Sequence, residues 1–68
     1  MDYYKIGQQI RKLRKAHGFS QEELAEKVEI STTHMSHIET GSTKLSLPVL
    51  VSLANVLDVR TDDLLFDR

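Results

Sequence analysis

Thr32, Thr33, Ser36 and His37 are the residues of this chain whose types and spacing can do chemistry. Each donates and accepts hydrogen bonds, and none is a Lys, Arg, Asp or Glu. Hydroxyls bond to several base edges, a threonine methyl meets the thymine methyl, and histidine bonds to guanine acceptors. An ordinary polar helix surface is the plainer account. Such surfaces are usually rich in Lys and Glu, however, and the stretch from Thr32 to Ile38 has neither. Gln21 is a second candidate. At the start of a helix, unpaired backbone amides and the dipole favour an anion, so its side chain can clamp a phosphate there. The plainer account of Gln21 is a solvent-facing residue in a first turn.

Other chemistries fail on residue content. His34 and His37 stand three apart on one helix, close enough to share a metal. There is no cysteine, and a third ligand must come from His17 or a distant carboxylate. Neither a metal site nor a cofactor is expected. His17, near a helix C-terminus, reads as a cation beside the cap or a partly buried side chain. No nucleophile is paired with a base, no Gly-rich loop cradles phosphate, and the chain is too short to enclose a cleft. An enzyme is therefore not expected, and no small-molecule ligand is evident.

The elements that must position these residues follow from caps and apolar phase. Ser31 caps a helix that runs to Thr40 and stops at Gly41. Met35 and Ile38 define its buried side at about 100° per residue. Thr33, Ser36 and His37 then project away, with Thr32 at the leading edge. The preceding helix begins at Ser20, where Ser20 and Glu23 form a capping box and Phe19 with Leu24 a hydrophobic staple. Leu24, Ala25 and Val28 give it a buried stripe. Two short helices joined by three or four residues make a helix-turn-helix.

Around this pair, Tyr3, Ile6, Ile10, Leu13 and His17 recur at helical spacing, and Gly18 supplies a left-handed stop. Ser42 to Leu45 is a polar loop holding Lys44. Ser46 caps a fourth helix with Pro48 in its first turn and Leu47, Leu50, Leu53, Ala54 and Leu57 facing inward. Thr61 is expected to cap a short fifth helix, with Asp62 and Asp63 in its first turn and Leu64 and Leu65 as anchors. No segment has strand period. The expected fold class is all-α: one compact five-helix domain over residues 1–68, with the helix-turn-helix formed by helices 2 and 3.

Sixty-eight residues bury roughly 60% of their unfolded surface, which leaves stability marginal. Without cysteine, helix packing and association remain as remedies. Val49 and Val56, one heptad apart with Leu53 between them, and Phe66 near the end, can form a self-complementary dimer patch. Some of them can instead complete the core of one subunit. No charged leader precedes an apolar run, and no run approaches bilayer length, so a soluble, cytoplasmic protein is expected. The net charge is −1, but it is bipolar. Lys5, Arg11, Lys12, Arg14 and Lys15 oppose Asp2 at one end, whereas Asp58, Asp62, Asp63 and Asp67 oppose Arg60 at the other. A basic end can meet phosphate while the far end stays acidic.

The stretch LRKAHGFSQEELAEKVEIS, followed by HIETG, SLPVL and SLANVLDVRTDDLL, resembles the phage-repressor (lambda-repressor-like, Xre-type) helix-turn-helix family. The resemblance covers about residues 6–65 and rests on ordered motifs at matching spacing. It implies a transcriptional regulator, a repressor, binding partly palindromic double-stranded DNA as a homodimer. It implies that Thr32, Thr33 and His37 meet bases, and that Gln21, Ser31, Ser36 and Lys44 meet the phosphate backbone. It also implies a buried ion pair between Arg14 and Glu39, whose helical phases agree. Three positions depart from the pattern. Glu29 occupies the turn position where relatives carry Gly, and must take a left-handed conformation or alter the turn. Thr40 precedes Gly41 where a basic or amide side chain is common, and the following loop offers only Lys44. These departures keep open a protein-interaction module of the same fold, antitoxin-like or partner-dependent, with weak or lost DNA binding.

Overall fold

The computed structural model describes residues 1–66. Five helices follow one another: α1 Tyr3–Ala16, α2 Gln21–Lys27, α3 Thr32–Thr40, α4 Leu47–Leu57 and α5 Thr61–Leu65. The fold is all-α, and its extents of 26 × 23 × 20 Å make it compact.

The helices start where side chains replace missing backbone acceptors. Asp2, Ser20, Ser31 and Ser46 each accept a hydrogen bond from the backbone N–H three residues on. Glu23 completes the box on α2 by accepting from the Ser20 amide at 2.9 Å. The fifth helix differs from expectation. Its N-cap is Arg60, not Thr61, and the stabilising bond runs from the Arg60 amide to the Asp63 carboxylate at 2.9 Å. The acid three residues on, rather than a hydroxyl at the cap, does the capping.

The helix ends share one construction. After α1, α2, α3 and α4 the chain turns through a left-handed residue, Gly18, Glu29, Gly41 and Asp58 in turn. At each, two backbone bonds close the last turn in the Schellman pattern, as in Ile30 N–H to Ala25 O at 3.0 Å and Glu29 N–H to Glu26 O at 3.1 Å. The residue that follows is apolar at three of the four ends (Phe19, Ile30 and Val59) and packs on the core. That contact stabilises the turn and holds Glu29, at φ 61°, and Asp58, at φ 56°, where glycine is the easier residue. The expected left-handed strain at Glu29 is present. Asp58 adds a second case.

The core draws on every helix. Ile6 and Ile10 of α1 meet Leu24, Ala25 and Val28, then Met35 and Ile38 of α3, and Leu50, Leu53, Ala54 and Leu57 of α4, with Leu64 closing the base. Burying one such Met or Leu contributes about 2 kcal/mol. Two expectations for α4 fail. Leu47 is 70% exposed, because no element covers the first turn of α4. Leu53 is fully buried and belongs to the core of the single chain, so it cannot line a dimer surface.

Two glycines set the helix spacing around α3. A Cβ on Gly7 would overlap the Ile38 carbonyl oxygen and stand 2.6 Å from that of Glu39, so α1 and α3 touch backbone to backbone. At Gly41, a Cβ would lie 2.6 Å from Tyr4 Cα. The end of α3 therefore rests on the first turn of α1.

Candidate nucleic-acid interface

The caps and packing fix the orientation of α3. Met35, Ile38 and Glu39 point inward, and Thr32, Thr33 and His37 are exposed together on the opposite side. Ser36 is half-buried on that helix, and His34 is half-buried beside it. Ser31 is exposed, with its Oγ accepting from the His34 amide at 3.0 Å. Its hydroxyl hydrogen is left to donate outward. Lys44 is exposed in the α3–α4 loop and forms no ion pair among the described residues. Along one side the molecule thus presents uncharged hydrogen-bonding groups followed by a cation.

Beneath that side lies an ion pair. Arg14 donates from Nε to Glu39 Oε2 at 2.7 Å and from Nη2 to Glu39 Oε1 at 3.1 Å, a bidentate arrangement between α1 and α3. Arg14 Nη1 donates to the Phe19 carbonyl at 2.9 Å. Both residues are buried, at 8% and 4% exposure, and no buried side-chain nitrogen or oxygen among the described residues lacks a partner. Such a pair adds little net stability over an apolar one, but losing one partner strands the other charge.

Gln21 sits at the first position of α2, half-buried, and donates from Nε2 to Glu39 Oε1 at 3.3 Å. Local patterning gives no hint of this bond, which spans the sequence from α2 to α3. The start of α2 already carries Glu22 and Glu23. Two carboxylates there offset the positive end of the helix dipole. The Glu23 carboxyl titrates below its ordinary range, chiefly because it accepts from the Ser20 backbone amide, then through the Ser20 side chain and the nearby Lys27.

Several further polar groups are engaged within the protein. Thr40 Oγ1 lies 3.0 Å from the Ser36 carbonyl and 3.0 Å from Ser42 Oγ, so it caps its own helix. Lys27 Nζ stands 5.0 Å from the centre of the Phe19 ring, a cation–π contact. The His17 ring stacks on Phe19 at 5.6 Å, and its Nε2 meets the Leu57 carbonyl at 2.7 Å. Among the described residues, no group of three His, Cys, Asp or Glu side chains is placed to hold a metal ion, and no helix is long and apolar enough to cross a membrane.

Two short helices, a left-handed turn at Glu29 and a polar outer face on the second helix define a helix-turn-helix domain. Residues 10–64 match the HTH_3 (helix-turn-helix) family model, and the chain belongs to that family of Xre-type transcriptional regulators, which are not enzymes. It is 43% identical over 58 residues to the HTH-type transcriptional regulator YobD of Bacillus subtilis, covering 85% of this chain and 52% of that protein. The fold is similar to the restriction-modification controller protein C.AhdI from Aeromonas hydrophila, with a TM-score of 0.88, 36% identity, and 93% and 96% of the two chains covered. It is also similar to SinR, the master regulator for biofilm formation, solved in complex with DNA, with a TM-score of 0.84, 40% identity, and 90% and 98% of the two chains covered. The chain spans about half the length of the curated Bacillus subtilis relatives it matches.

Proposed function

We propose that this chain is a sequence-specific DNA-binding domain, formed by residues 1–68, of a cytoplasmic transcriptional repressor. It binds a partly palindromic operator as a homodimer, with α3 in the major groove. The observation that carries this reading is the exposed face of Thr32, Thr33 and His37, held outward by the burial of Met35, Ile38 and Glu39. In this reading those three side chains meet base edges, and Gln21, Ser31, Ser36 and Lys44 meet the phosphate backbone. The likeness to SinR, solved with DNA, supports it.

Association uses the apolar surface that α4 and α5 leave outside the core. Val49 and Val56 are half-buried on one flank of α4, and Phe66 is exposed at the end of α5. Replacing both Val56 and Phe66 with Lys should give monomer in sedimentation experiments at high micromolar concentration. A parent protein that is itself only monomeric there removes the homodimer.

Salt dependence tests the DNA reading. With Lys44 of each subunit neutralising a phosphate, about two per dimer, affinity for a DNA duplex should fall about tenfold over a fourfold rise in salt. The engagement of Thr40 within the protein favours a second reading, a partner-binding module of the same fold. A flat salt response would select it.

A further inference from the structure

We propose that Glu39 is a positioning residue for DNA binding, acting through Gln21. The inference rests on the reading of Gln21 as a phosphate contact. One carboxylate oxygen, Glu39 Oε1, accepts from Arg14 Nη2 at 3.1 Å and from Gln21 Nε2 at 3.3 Å. The same carboxylate is fixed from its other oxygen by Arg14 Nε at 2.7 Å, and the guanidinium is tied to the Phe19 carbonyl at 2.9 Å. Glu39 has 4% of its surface exposed and no room to turn. A buried carboxylate held this way is a fixed acceptor on the inner side of a half-buried amide.

An unrestrained glutamine at a helix start samples several rotamers and must give them up on meeting a phosphate. Gln21 has given them up beforehand. One of its two amide hydrogens goes to Glu39, and the second is left to donate to a phosphate. Charge polarises the contact further, since a donor bonded to a carboxylate is oriented more firmly than one bonded to a neutral oxygen. Through Glu39, the phosphate clamp on α2, the base-facing helix α3 and the scaffold helix α1 share one node. DNA register on the backbone and α3 orientation are thereby set together.

A double-mutant cycle on affinity for a random-sequence DNA duplex tests this, because a phosphate clamp acts irrespective of sequence. Q21A alone is expected to weaken binding about tenfold. E39Q is expected to weaken it severalfold in the parent and to add nothing in the Q21A background. Thermal melts establish that each variant is folded at the assay temperature. Should E39Q strand Arg14 and unfold, R14M/E39M replaces the buried pair with apolar side chains of similar volume and keeps the fold. Adding Q21A to R14M/E39M should then cost only about two- to threefold, well short of the tenfold loss in the parent. Equal losses from Q21A with and without the Glu39 replacement would overturn the proposal, as would E39Q binding as tightly as the parent. If Q21A itself leaves affinity unchanged, the phosphate reading of Gln21 fails first and the positioning role falls with it.

Discussion

Replacing Glu29 with Gly is expected to stabilise this protein, although it removes a side chain and loosens the unfolded chain. Glu29 sits at φ 61° just beyond α2, is exposed, and makes no side-chain hydrogen bond or ion pair among the described residues. A left-handed residue with a Cβ costs about 1–2 kcal/mol. Glycine returns about 0.4–1 kcal/mol of that through its greater freedom when unfolded. An acid beside the negative end of a helix adds a further unfavourable term, about 0.3 kcal/mol in solvent. The net gain is about 1 kcal/mol, which raises Tm by roughly 4–8 °C in a domain of this size. Thermal unfolding followed by circular dichroism measures it. E29A separates the contributions, because it deletes the charge and keeps the Cβ: it should move Tm by less than about 2 °C. A parent and E29G that melt together, or an E29A that gains as much as E29G, would show that the backbone conformation stores no strain.

Gly7→Ala should act in the opposite sense. Helix propensity alone favours Ala by about 1 kcal/mol, yet the added methyl meets the Ile38 and Glu39 carbonyls, and the variant should lose about 1–3 kcal/mol in denaturant titration. The Ser20–Glu23 cap makes a pH prediction. Because the folded Glu23 carboxyl is lowered, its contribution is present above the unfolded pKa and is lost as pH falls through the folded pKa. The Tm difference between parent and E23Q should therefore be largest near neutrality and vanish in acid; a constant difference would deny the cap its charge. His37→Ala should reduce discrimination between a preferred site and random DNA by about 1 kcal/mol or more, with a smaller loss on random DNA itself. Equal losses on both would place His37 on the backbone.

The helix starts were legible because Ser20, Ser31 and Ser46 carry the chemistry of their caps in their own side chains, and the α3 phase because Met35 and Ile38 lie one turn apart. Leu47 misleads since helical phase reports which side of α4 faces the core, not whether the core extends that far along its axis. The cap of α5 lies one residue early because a backbone amide and a later acid suffice without any hydroxyl at the cap. Asp58 had no glycine to announce its left-handed turn, which is imposed by Val59 packing behind it. The ion pair between Arg14 and Glu39 came from family resemblance, and the Gln21 bond to the same carboxylate from neither source. A contact between groups so far apart in sequence leaves no trace in local pattern.

The backbone contact at Gly7 bears on how this molecule adapts to what it binds. With α1 pressed on the last turn of α3 and Tyr4 against Gly41 just beyond it, that end of α3 cannot slide without driving atoms into a neighbouring main chain. Under the proposed function, the fit between α3 and the groove is then adjusted by the duplex. Sites whose steps bend or twist at low energy gain affinity over stiff ones even where no side chain reaches a base. The mechanical softness of the operator becomes part of what is recognised.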